Sequence, residues 1–137
     1  MQSQLADYSG DSRKVNWEEL LESVENPPDY TYLSPKEAGL KIHEWIFDQF
    51  SYMDIEFNGW IKVWKDGKAK PIRYDAYDGT VVYDFKTKKT ELMSSVPYYN
   101  DIAQMESYLR ELEEDRGVIV YIDRENFDVR EVEVTSP

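Results

Sequence analysis

Apolar positions recur along this chain with two different periods, and the change of period divides it into elements. In Val15 to Val24 the apolar residues Trp17, Leu20, Leu21 and Val24 fall on one helical face behind Asn16 as N-cap, and Asn26-Pro27-Pro28-Asp29 ends the run. Ser34-Pro35-Lys36-Glu37 combines a serine N-cap, proline at N1 and glutamate at N3, which predicts a second helix running to about Phe50. Its inward stripe is Ala38, Ile42, Trp45, Ile46 and Gln49, with His43 at the margin. A third helix is expected from a cap at Asn100 or Asp101 to Asp115 or Arg116, with Gly117 as its C′ residue and Ile102, Met105, Leu109 and Leu112 buried.

Between and after these helices the period drops to two. Asp54 to Lys65 alternates Ile55, Phe57, Ile61 and Val63 around a break at Asn58-Gly59, and Asp66-Gly67-Lys68 turns the chain. Lys70 to Tyr77 and Thr80 to Thr87 flank Asp78-Gly79, a two-residue hairpin signature of the type I′ turn. With that turn, Tyr77 faces Thr80 and Asp75 faces Val82. Lys88 to Tyr99 reads as a connection, Val118 to Ile122 as a buried strand and Phe127 to Val134 as an edge strand. Residues 1–14 are polar and aperiodic, so a flexible N-terminal tail is expected ahead of a single domain over 15–137. The element order is α-α-β-β-β-α-β-β, an α+β or α/β arrangement with a mixed central sheet of about five strands flanked by helices.

Composition narrows the chemistry. The chain has no cysteine, which excludes disulfides, thiolate metal sites, iron–sulfur clusters and cysteine nucleophiles. His43 is the sole histidine and no nucleophile elbow or phosphate-cradling glycine loop occurs. No apolar run reaches the roughly 18 residues of a membrane span, and a cytoplasmic protein without membrane contact is expected. The net charge is −12, the wrong sign for long-range attraction to nucleic acid. Yet Lys62 to Lys89 holds eight basic and four acidic residues, a basic centre in an acidic chain. The overall charge suits a basic protein partner, a partner that supplies affinity for nucleic acid, or a high-salt cytoplasm.

Alternation places Val82, Asp84 and Lys86 on one face of the hairpin, joined by Asp75 from the partner strand. Two carboxylates are hard ligands for Mg²⁺ or Mn²⁺, and an adjacent ammonium can position water or neutralise developing charge, a set suited to phosphodiester hydrolysis. A solvated face with an incidental ion pair is the plainer alternative.

From Ser34 to Val134 the sequence resembles the RecB-like branch of the PD-(D/E)xK nuclease superfamily. The resemblance rests on His43 in Ala-Gly-Leu-Lys-Ile-His-Glu, Asp75 in Ile-Arg-Tyr-Asp, Asp84, Lys86 and Thr87 in Tyr-Asp-Phe-Lys-Thr, and Gln104 and Tyr108 in Gln-Met-Glu-Ser-Tyr. It implies a restriction-endonuclease-like core. It also implies that His43, Asp75, Asp84 and the Phe85 carbonyl hold Mg²⁺ or Mn²⁺, and that Lys86 serves the attacking water. Gln104 and Tyr108 would then orient Lys86 or contact the DNA backbone. The implied activity is metal-dependent DNA hydrolysis at ends, single strands or branched junctions, as in repair, recombination or processing. The alternative is an inactive nuclease-fold module that binds nucleic acid or a basic protein. Ile72 stands where the family usually has glycine.

Overall fold

The computed structural model describes residues 15–137, with helices α1 (Trp17–Glu22), α2 (Pro35–Gln49), α3 (Thr90–Met93) and α4 (Tyr99–Leu112). Its strands are β1 (Glu56–Lys65), β2 (Lys68–Tyr77), β3 (Val81–Lys88), β4 (Arg116–Asp123) and β5 (Val129–Thr135). The expected tail, residues 1–14, lies outside the described residues. The strands form one sheet in the order β1-β2-β3-β4-β5, in which only β3 and β4 are parallel. Those two carry the most continuous apolar runs and are covered on both faces, as a parallel pair requires. The link between them contains α4, because parallel neighbours need a crossover.

Helices α1 and α2 pack on one face of the sheet and α4 on the other. The first layer centres on Trp17, whose fully buried indole meets Phe50, Tyr83 and Phe85 edge-on at centroid distances of 5.5, 6.2 and 5.0 Å. In the second layer Met105 and Leu109 lie against Val82, Ile119 and Tyr121.

The capping box of α2 forms as read: the Glu37 N–H donates to Ser34 Oγ, whose hydroxyl donates to the Glu37 carboxylate. Ala38, Ile42 and Ile46 are buried and Trp45 is half-buried, but Gln49 is exposed. Phe50 at the C-cap fills the core there instead, sparing the amide a site with no partner.

Helix α4 differs at both ends from the sequence expectation. Its N-cap is Tyr98, not Asn100 or Asp101, and no side chain caps it. The Asp101 carboxylate instead accepts a hydrogen bond from Tyr121 at 2.7 Å, and the Tyr98 N–H donates to the same tyrosine oxygen at 3.1 Å. The left-handed residue at the C-terminus is Glu113 (φ 56°), while Gly117 is a strand residue. Met105 presses onto Gly117 so closely that a Cβ would collide with it, so the glycine serves packing rather than helix termination. Within the expected connection, Thr90–Met93 forms a single helical turn.

Candidate active site

The β2–β3 turn is wider than the two-residue turn expected. Asp78 is buried, and its Oδ1 accepts from the N–H groups of Thr80 and Val81 at 2.9 and 2.8 Å. Its Oδ2 accepts from the Tyr83 hydroxyl at 2.8 Å. This aspartate-closed loop leaves only Gly79 with positive φ, and Tyr77 pairs with Val82 and Ala76 with Tyr83. The register therefore differs by two residues from the one that set Asp75 against Val82. A slip of two keeps every side chain on its face, and it carries Asp75 to the position across from Asp84.

Beyond Ala76–Tyr83 the two strands part. The groups that would bond Tyr74 find other partners: the Phe85 N–H donates to Asp75 Oδ2 at 2.7 Å, and the Phe85 carbonyl lies 2.8 Å from His43 Nε2. The opening lies beside Asn58, which adopts a left-handed φ of 61° between the Phe57–Ala76 and Gly59–Tyr74 pairs of the β1–β2 ladder. Into it point Asp75, Asp84, Lys86 and Tyr108, which with His43, Arg73, Thr87 and Gln104 line a cleft of roughly 350 Å³.

Helix α2 reaches this opening because it runs unusually close to β3. A Cβ at Gly39 would stand 2.9 Å from Thr87 Oγ1, so glycine is what permits the approach. One turn on, His43 Nδ1 lies 2.7 Å from the Gly39 carbonyl while Nε2 contacts the Phe85 carbonyl and lies 3.4 Å from Asp75 Oδ2. Two carbonyl acceptors require protons on both ring nitrogens, hence an imidazolium. Burial opposes that charge, but the Asp75 carboxylate and the two carbonyls outweigh it and raise the His43 pKa to about 9. Sequence reasoning missed Gly39 and Arg73; the small residue one turn before His43 was the available sign of close packing.

The two carboxylates split their roles electrostatically. Burial disfavours charge on both, but hydrogen bonds from His43, Asp84 and the Phe85 N–H, with the imidazolium charge, hold Asp75 below the usual range. Asp84 is more deeply buried and faces the Asp75 charge, which together push it up to about 8 against the pull of Lys86. The pair thus holds one proton between them at neutral pH. Lys86 Nζ lies 3.1 Å from Asp84 Oδ2, a charge contact without the alignment of a hydrogen bond, and donates to Gln104 Oε1 at 2.7 Å. Tyr108, buried, donates to the Arg73 carbonyl at 3.2 Å. Burial and the Asp84 and Asp75 charges push its phenol up, so it remains a donor.

Among the described residues no three His, Cys, Asp or Glu side chains are closed into a metal-holding group. The donor set is nonetheless of the right chemistry for a hard divalent cation: two carboxylates, an imidazole and a backbone carbonyl. Asp84 Oδ2 is buried without a hydrogen bond, and the His43 proton lies where Asp75 and the Phe85 carbonyl converge. A cation would meet the demand for positive charge that protons on His43 and Asp84 now meet.

No protein-family model matches this sequence, and neither does any curated protein. Solved structures do match. The crystal structure of SSO0001 superposes with a TM-score of 0.61 at 21% identity, covering 77% of this chain and 54% of that one. An alkaline exonuclease (LHK-Exo) from Laribacter hongkongensis gives a TM-score of 0.58 at 13% identity, covering 77% of this chain and 60% of that one. This chain therefore spans between half and two thirds of each. At these identities the likeness is one of fold: the mixed five-stranded sheet with its helices is the fold shared with that exonuclease. No helix among the described residues is long and apolar enough to cross a membrane.

Proposed function

We propose that this chain is a divalent-metal-dependent DNA nuclease of the RecB-like kind. The observation that carries the reading is the parting of β2 from β3, which gathers His43, Asp75, Asp84, Lys86 and the Phe85 carbonyl in one cleft of a nuclease fold. Asp75, Asp84, His43 and that carbonyl would hold Mg²⁺ or Mn²⁺, the imidazole favouring Mn²⁺. When bound, such a cation lowers the pKa of a coordinated water and neutralises charge on the phosphate.

The chain's own residues do the rest. Lys86, anchored by Gln104 and Asp84, faces the cleft, where its ammonium hydrogen-bonds the attacking water or a phosphate oxygen. Tyr108 fixes the backbone at Arg73, two residues before Asp75, and so holds that carboxylate in position. Arg73 lines the same cleft and offers a charge for a phosphate. The exonuclease among the structural neighbours supports DNA ends as substrate. The net charge of −12 favours a second reading, a module that binds nucleic acid or a basic partner without cutting.

Purified protein incubated with single-stranded, duplex and branched DNA in Mn²⁺, Mg²⁺ or chelator separates the two. Metal-dependent cleavage lost in Asp84→Ala and Lys86→Ala is the expected result. Cleavage unaffected by both substitutions, or absent with every substrate and metal, would overturn the nuclease assignment; binding without cleavage would establish the second reading.

A further inference from the structure

Beyond Tyr74, β1 and β2 continue as a two-stranded ribbon that no longer pairs with β3. Its inner face is anchored by Ile61 and Ile72, which pack with Tyr108 and Leu109. Its outer face, by strand alternation, carries Trp60, Lys62 and Trp64, with Arg73 directly across from Trp60. Trp60 is 60% exposed and Trp64 68%. Indoles left in water on a marginal ribbon serve no packing purpose, and the apolar area they expose is a feature of binding surfaces. The charge around them is equally out of character. The charged residues that share this face are Lys62 and Arg73, both basic, in a protein whose net charge is −12.

We infer that the outer face of this ribbon is a stacking platform for unpaired bases that delivers a single strand to the candidate active site. The inference rests on the reading of the cleft as a site for nucleic acid, and it narrows the substrate from DNA in general to DNA with a single-stranded segment. Three observations join the platform to the cleft. The Arg73 guanidinium stacks over the Trp60 ring at 4.2 Å. Arg73 also lines both the polar cleft and an adjoining cavity of roughly 530 Å³ between the ribbon and α2. Asp75 follows two residues later on the same strand. Trp60 and Trp64 lie about 13 Å apart along the strand, so each ring takes a separate base. Interleaved lysine and arginine meet the phosphates between them, the combination by which proteins hold single strands regardless of sequence.

The test uses the whole chain in chelator, so that binding is read without cleavage. Fluorescence anisotropy of a labelled oligothymidine and quenching of tryptophan emission are compared for wild type, Trp60→Ala, Trp64→Ala and Trp64→Phe. The expected result is binding weakened about tenfold by each alanine, retained by the phenylalanine, and stronger for single-stranded than for blunt duplex DNA. Unchanged binding in both alanine variants would overturn the platform. So would a wild type that binds no oligonucleotide at low salt, or self-association lost in Trp64→Ala while oligonucleotide binding persists. Cleavage is assayed separately with metal. Trp-dependent binding without any cleavage upholds the platform while removing the nuclease assignment, and cleavage that ignores both tryptophans does the reverse.

Discussion

Strand β3 has two very different neighbours. Against β4 it pairs along its whole length, Val81–Arg116 through Lys88–Asp123, whereas against β2 it pairs only at Val82 and Tyr83. The contrast is sharpest at Asp84. Across the β4 ladder it faces Ile119, which is fully buried in the apolar layer under α4; on the other side it faces the Asp75 carboxylate in the opening. One residue therefore touches the best-satisfied and the least-satisfied parts of the sheet. The continuous ladder supplies a rigid floor, and the interrupted one exposes the backbone of Phe85 and crowds charges that stability alone would not bring together.

Four substitutions probe that contrast. Ile119→Ala removes a fully buried side chain from the continuous ladder and should cost about 2–5 kcal/mol, read by urea unfolding; a cost below about 1 kcal/mol would mean the floor is not where stability resides. Asp84→Asn, one strand away, should act in the opposite direction. It should abolish cleavage by at least about a hundredfold while raising metal-free stability near pH 8 by about 1–3 kcal/mol.

The pH dependence of that second effect has a definite sign. The folded-state pKa of Asp84 is raised from 3.8 to about 8, so its contribution is fully present below 3.8 and is lost as pH rises through 8. The stability advantage of Asp84→Asn over wild type in chelator should therefore grow between those limits. A gap that is constant from pH 4 to pH 9 would refute the shared-proton description of the pair.

Smaller effects test the supports. Gln104→Ala removes the acceptor for Lys86 and should lower kcat by about tenfold to a hundredfold with little change in thermal midpoint; an unchanged kcat would place Gln104 outside the machinery. Gly39→Ala pits a helix-propensity gain of about 1 kcal/mol against contact with Thr87 Oγ1. Stability should change by less than about 1 kcal/mol, while Mn²⁺ affinity falls as His43 moves off the Phe85 carbonyl. Tighter metal binding in this variant would show that α2 is not held at its limit of approach.

How much of this the residues declare on their own depends on the range of the forces involved. Helix α2 was legible because its start is local: a serine, a proline and a glutamate within four positions settle capping without reference to the rest of the chain. The alternation that puts Asp84 and Lys86 on one face is equally local, since strand geometry fixes it. The ends of α4 were misread because Asp101 and Gly117 are good cap residues with stronger distant claims, from Tyr121 and Met105 respectively. The exposure of Gln49 follows from Phe50 occupying the core position beside it.

Periodicity, then, determined the order of elements and the face on which each candidate acid lies, because both are properties of consecutive residues. The register across the hairpin, the gap beside Phe85 and the distance of His43 from it were decided only in three dimensions. Each depends on a contact or backbone conformation that forms only in the folded chain: Asp78 closing a wide turn, Asn58 in a left-handed conformation within β1, Gly39 admitting a helix close to Thr87. A two-residue change in pairing leaves the alternation of the sequence untouched, so the pattern could not reveal that Asp75 would end up across from Asp84. Hydrogen bonding by a single buried carboxylate made that choice, and with it the site.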